Sequence, residues 1–285
     1  MELTESTFDT GELPLHVMEG PQNGPPLVLL HGSTSSWKSW NALLPQLIKD
    51  WHVFAVDLRG HGLSGRVATT QDYHLSCNVR DTVAFLRDRV GEKAILYGHS
   101  WGAVVTMLCG GQAKEFLSGV VLEDPPLIVQ RGGPTMDRYL GYFNWALQAK
   151  RSTQSLEEIF SLIQRENPDA PAEQLTVWTE NIYHTDTVYL EALTVDPTAP
   201  ARGLDYPQAM RDIACPILLL QADPARSGVL EEQDLDMFIE NARSLDLVYF
   251  PGVGHQINAE RTGQVLDLLR MFKARINQFA ESGSK

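Results

Sequence analysis

Cysteine is scarce in this chain, with three in 285 residues. Cys77, Cys109 and Cys215 are odd in number, widely spaced and outside any C-x-x-C pattern, which argues against a disulfide framework or a cysteine zinc site. Cys109 falls on an apolar helical face and Cys215 just before a strand-like run, so both read as buried thiols. Long apolar runs are also missing. None approaches the 18 or more residues of a membrane span. Positive charge is short, with 23 Lys and Arg against 36 Asp and Glu, a net charge of -13. That balance repels phosphate backbones and anionic lipid, so neither nucleic acid nor a membrane is expected as a partner. There is no H-E-x-x-H, no Walker loop and no G-x-G-x-x-G opening a helix after a strand, so no metal or cofactor is expected. The N-terminal "MELTESTFDTG" has no apolar core of a secretory signal. A reduced, cytoplasmic compartment is the expectation that follows.

What is present is a rhythm. Near-continuous apolar runs recur at "PLVLLHG", "WHVFAVD", "KAILYGH", "SGVVLED", "CPILLLQAD" and "LDLVYFPG". Such runs suit strands buried on both faces of a parallel sheet. Between them lie helical patterns. "SCNVRDTVAFLRDRVG" carries Val79, Val83, Leu86 and Val90 at helical spacing, with Gly91 as a stop. "WNALLPQLIKD", "WGAVVTMLCGG" and "NAERTGQVLDLLRMFKARINQFA" are the others. The alternation predicts a doubly wound α/β sheet, with "ESTFDTGELPLHVMEG" as an added edge hairpin. Glu231 and Glu232 suit the start of a further helix. The rhythm stops between about Pro125 and Pro207, where four amphipathic helical patterns follow one another, the third with Pro171 at N1. Tyr139, Tyr142, Phe143, Trp145, Trp178 and Tyr183 crowd this stretch. They read either as the core of a helical bundle or as the inner face of a lid over an apolar pocket.

"Gly98-His99-Ser100-Trp101-Gly102" matches G-x-S-x-G, between an apolar strand run and an apolar helix run. A strand that turns abruptly into a helix presents a serine at its apex, and small residues two places either side let the backbones approach. The helix start directs backbone N–H groups toward a developing oxyanion.

From "LLHGSTSSW" through this elbow to "PGVGHQIN", the chain resembles the α/β-hydrolase family. The resemblance implies a mostly parallel central sheet flanked by helices, with a helical cap inserted after the sixth strand. The corresponding division is residues 1–126 for the first part of the core, 127–207 for the cap and 208–285 for the rest of the core. It also implies an oxyanion hole from the N–H groups of Ser33 and Trp101, after "His31-Gly32-Ser33". In "VDLRGHGLSG", Asp57 and Arg59 match a loop that is usually structural.

A serine needs a base. Of eight histidines, His255 in "FPGVGHQIN" follows the last strand at the sheet's carboxyl edge, where the family puts its catalytic histidine. His31 reads as a structural hydrogen bonder and His99 as pointing away from the serine. The third member stays open. Ala222 and Ala225 hold the family's usual glycine and acid places after "PILLLQAD", so Asp223 comes two residues early. A minority of the family takes the acid from the end of the preceding strand. There "VVLEDPP" offers Glu123 at the matching position, with Asp124 beside it. Glu123 is taken first, Asp223 as the alternative and Asp124 third.

Serine at the elbow argues against the dehalogenase and epoxide hydrolase chemistries of this fold, which use an aspartate nucleophile. The expected function is hydrolysis of a small hydrophobic carboxylic ester or lactone through an acyl-enzyme on Ser100 with His255 as base. Amide or C–C bond hydrolysis with the same residues is an alternative, as is a hydrolase-fold receptor for a small molecule with slow turnover.

Overall fold

The computed structural model describes residues 2–153 and 155–282. The six apolar runs form parallel strands: β3 (Pro26–Leu30), β4 (His52–Val56), β5 (Ala94–His99), β6 (Leu117–Glu123), β7 (Ile217–Ala222) and β8 (Leu245–Phe250). The hairpin of β1 (Thr4–Asp9) and β2 (Pro14–Glu19) adds antiparallel strands at one edge, giving the order β1-β2-β4-β3-β5-β6-β7-β8. From β3 to β7 nearly every residue is buried, which is why these runs do not alternate. β8 closes the other edge and keeps Leu247 and Tyr249 exposed.

Helices cover both faces. Between β3 and β4 lies α1 (Leu44–Asp50). The helix predicted over 76–91 is α2 (Leu75–Phe85), continued by one π turn that Gly91 ends at φ 72°. β5 passes into α3 (Trp101–Cys109). Between β6 and β7 the chain is helical: α4 (Ile128–Arg131), α5 (Pro134–Ser152), α6 (Leu156–Glu166), α7 (Ala172–His184), α8 (Thr187–Val195) and α9 (Tyr206–Asp212). This is the helical insertion after the sixth strand. Pro171 sits at the N-cap of α7 rather than at N1, one place before the expected position. α10 (Glu232–Asn241) begins at the acidic pair, with Glu231 as its cap. The last helical run breaks into α11 (Ile257–Glu260) and α12 (Thr262–Ser282).

Two apolar layers result. One joins α2, α3 and the helical insertion to the sheet, and the other joins α1 and α12 to its opposite face. All three cysteines are free and buried. Among the described residues no helix is long and apolar enough to cross a membrane.

Candidate active site

The elbow is built by steric necessity. Ser100 caps α3 with φ 53° and ψ -118°, a strained conformation for a residue with a side chain. A Cβ on Gly98 would lie 2.1 Å from the Gly102 carbonyl oxygen, and one on Gly102 would lie 2.2 Å from that of Leu30. Both positions therefore exclude any other residue while strand and helix stay this close. Ser100 N–H donates to the Glu123 carbonyl at 2.8 Å, which ties the elbow to the end of β6.

Ser100 and His255 line one cavity of about 920 Å³ between the carboxyl ends of the strands and the helical insertion. Ser33 and Trp101 line it too. Among the described residues neither of their N–H groups has a hydrogen-bond acceptor. The loop carrying Ser33 is held by two histidines. His31 Nδ1–H donates to Gly32 O at 2.7 Å, and its Nε2 accepts from Leu58 N–H at 3.0 Å. His61 Nδ1–H donates to Arg59 O at 2.9 Å, and its Nε2 accepts from Thr34 N–H at 3.1 Å. Each ring needs one bare nitrogen for this. Burial supplies it, lowering the pKa of His31 and pushing that of His61 down to about 3.

Asp57 and Arg59 act as struts. Asp57 accepts from Trp37 N–H at 2.7 Å, from Leu63 N–H at 3.2 Å and from His16 Nδ1 at 2.8 Å. Arg59 grips Asp81 through two bonds of 2.7 and 2.8 Å.

The carboxylate that meets His255 is Asp124, not Glu123. Asp124 Oδ2 lies 2.6 Å from His255 Nδ1. The same carboxylate accepts from Val229 N–H at 2.9 Å, Leu230 N–H at 3.2 Å and Ala222 N–H at 3.3 Å. Glu123 faces elsewhere, with Oε2 accepting from Tyr97 O–H at 2.5 Å and Oε1 from Asn258 N–H at 2.9 Å. The reason is strand alternation. Glu123 is still in register, paired with His99, so its side chain is committed to the sheet face that holds Tyr97. Asp124 is the first residue off β6 and turns at φ 45°, which swings its carboxylate over the sheet edge. Asp223 does not reach His255 either. Its oxygens accept from Ala225 N–H at 2.9 Å and Gly252 N–H at 2.8 Å, pinning the β7 turn to the β8 turn and lowering its pKa. One sequence signal for Asp124 was available: Pro125 and Pro126 have no N–H to give to a central ladder, so the strand must end before them.

His99, expected to point away from Ser100, is nonetheless part of the site. It lines the cavity, and its Nε2–H donates to the His255 backbone carbonyl at 3.0 Å. Burial drives its pKa well below the ordinary value, so the ring is neutral. Contacts from the helical insertion also escaped the sequence reading. Tyr189 O–H donates to Ser33 Oγ at 2.7 Å, Tyr142 OH lies 2.9 Å from Thr34 Oγ1, and Ser36 O–H donates to Asn181 Oδ1 at 2.7 Å. Three helices thus hold the loop between β3 and α1. Of the six aromatics, all but Tyr183 line the cavity.

The family model described as the alpha/beta hydrolase family matches residues 27–268. This chain belongs to the alpha/beta hydrolase family. Among curated proteins it is similar to, 2-(acetamidomethylene)succinate hydrolase of Mesorhizobium japonicum is 26% identical over 88% of both chains. Epoxide hydrolase 4 of Mus musculus is 34% identical over 111 residues, 39% of this chain but 31% of that protein. Epoxide hydrolase B of Mycobacterium tuberculosis is 37% identical over 101 residues, 28% of its length. The alpha/beta hydrolase chain thus matches less than a third of either epoxide hydrolase. Among solved structures, E-2-(acetamidomethylene)succinate hydrolase superposes with a TM-score of 0.78 at 22% identity, covering 96% of this chain and 100% of that one.

Proposed function

We propose that this chain is a serine hydrolase that cleaves a carboxylic ester or lactone, with Ser100 as nucleophile, His255 as base and Asp124 as the group that orients it. One observation carries the reading: His255 Nδ1–H is bound by a buried carboxylate at 2.6 Å in the cavity that Ser100 lines. That bond leaves Nε2 as the ring's proton acceptor. Ser100 Oγ bonds to the substrate carbonyl carbon as His255 Nε2 takes its proton. The carbonyl π electrons move to oxygen, where the N–H groups of Ser33 and Trp101 receive the charge. The oxyanion collapses, the ester C–O bond breaks, and His255 returns the proton to the leaving oxygen. Water repeats the sequence on the acyl-enzyme and frees the acid. Residues 127–207 serve as the lid. Epoxide opening is not adopted for this chain, because a serine and not a carboxylate stands at the elbow.

The test is steady-state hydrolysis of p-nitrophenyl acyl esters of graded length, a γ-lactone, an anilide and a β-diketone, with Ser100→Ala as control. Ester or lactone turnover is expected to fall roughly 10⁴- to 10⁶-fold in the variant. Preference for the anilide or β-diketone reassigns the reaction to amide or C–C cleavage. A wild type no faster than Ser100→Ala on every substrate makes the chain a binding protein instead.

A further inference from the structure

We infer that the site selects an uncharged acyl group and rejects substrates that carry a carboxylate. The inference rests on the hydrolase reading and concerns what its cavity admits. The helical insertion supplies apolar walls, among them Met136, Phe143 and Trp145 of α5, Ile163 of α6, Trp178 of α7 and Leu193 of α8. Among the described lining residues there is no lysine or arginine. Apart from the two histidines, the charged lining side chains are Glu166 at the end of α6 and Glu260 at the end of α11. Both are carboxylates at the exposed rim. The deeper polar groups are neutral, and two are already engaged: Asn181 accepts from Ser36, and Asn167 Nδ2 donates to the Ile163 carbonyl.

A carboxylate on the substrate would pass two like charges at the mouth and then lose its water against apolar side chains. Desolvating an ion without an opposite charge is costly, and neither His99, held neutral by burial, nor the amides supply that charge. A ketone, ether or alkyl tail of the same size pays no such cost and gains the contact with the aromatic wall. A succinate, the substrate named for the Mesorhizobium relative, would leave two carboxylates without a cationic partner here.

The experiment uses an isosteric pair: the p-nitrophenyl monoester of adipic acid, and p-nitrophenyl 6-oxoheptanoate, in which a methyl ketone replaces the terminal carboxylate. Two readouts separate this inference from the hydrolase reading. One is kcat/KM of the wild type, corrected for spontaneous hydrolysis. The other is Kd for both esters on Ser100→Ala by calorimetry. The ketone ester is expected to win by at least tenfold in kcat/KM and in Kd, with the gap narrowing in 0.5 M salt as the rim is screened. If the wild type turns over neither ester but Ser100→Ala still prefers the ketone tenfold, the hydrolase reading falls and the charge selectivity stands. A preference below tenfold in binding, equal binding of both or binding of neither overturns the selectivity.

Discussion

Asp124→Asn and Glu123→Gln are neighbouring changes of the same kind with opposite expected outcomes. Asp124 Oδ2 receives both Val229 N–H and His255 Nδ1–H, while Oδ1 receives Ala222 N–H and Leu230 N–H. An asparagine must place its NH₂ on one of these sides. Facing Ala222 and Leu230, the NH₂ meets two backbone donors, each clash costing about 1–3 kcal/mol. Facing Val229 and His255, it meets one backbone donor and forces His255 to accept at Nδ1. The second arrangement is cheaper, and it puts the His255 proton on Nε2, where the base should be bare. The wrong tautomer is expected to lower kcat roughly 10³- to 10⁴-fold, about 4–5.5 kcal/mol of transition-state stabilisation, with KM within about threefold. Glu123→Gln keeps an oxygen for Asn258 N–H and stays within about threefold of wild type. The assay is p-nitrophenyl butyrate hydrolysis at pH 8, with folding checked by circular dichroism. An Asp124→Asn enzyme retaining a tenth of wild-type kcat, or a Glu123→Gln enzyme losing 10³, would refute the reasoning.

Glu123 also sets a pH dependence of stability. Burial, reinforced by the Asp124 charge, raises its pKa from about 4.5 to about 7 against the opposing bonds from Tyr97 and Asn258. Below pH 4.5 the carboxyl is protonated in both folded and unfolded chains. Between 4.5 and 7 the folded chain keeps a proton that the unfolded chain has released, so this residue's contribution falls as pH rises and levels off above 7. The loss amounts to about 3 kcal/mol, and Glu123→Gln should remove that slope in urea titrations run at pH 5, 6, 7 and 8. His99→Leu removes the donor to the His255 carbonyl and should lower kcat about tenfold with KM nearly unchanged, whereas His99→Gln, whose amide can donate to the same carbonyl, should recover most of the loss.

Much of this protein is written locally. The six parallel strands were legible because strands buried on both faces need unbroken apolar runs. The elbow was legible because Gly98 and Gly102 are demanded by backbone contacts within a few residues of Ser100. His255 followed from its place after the last strand. The carboxylate behind it could not be read the same way. Glu123 and Asp124 are adjacent, both fully buried and chemically alike, and Asp223 closes the next strand. What separates them is direction, and direction is set by a β6 register that still holds Glu123, a left-handed turn at Asp124, and N–H groups of residues 222, 229 and 230 converging from about 100 positions away. The same holds for Tyr142, Asn181 and Tyr189, whose hydrogen bonds to the loop of Ser33 exist only because the insertion packs over it. The sequence by itself determined the strands and the elbow, since these rest on periodicity and close backbone contact, whereas His255 was singled out by its place after the last strand together with the resemblance to the family. Which carboxylate meets His255, and how the loop of Ser33 is held, belong to the tertiary structure, because they depend on where distant segments bring their hydrogen-bonding groups.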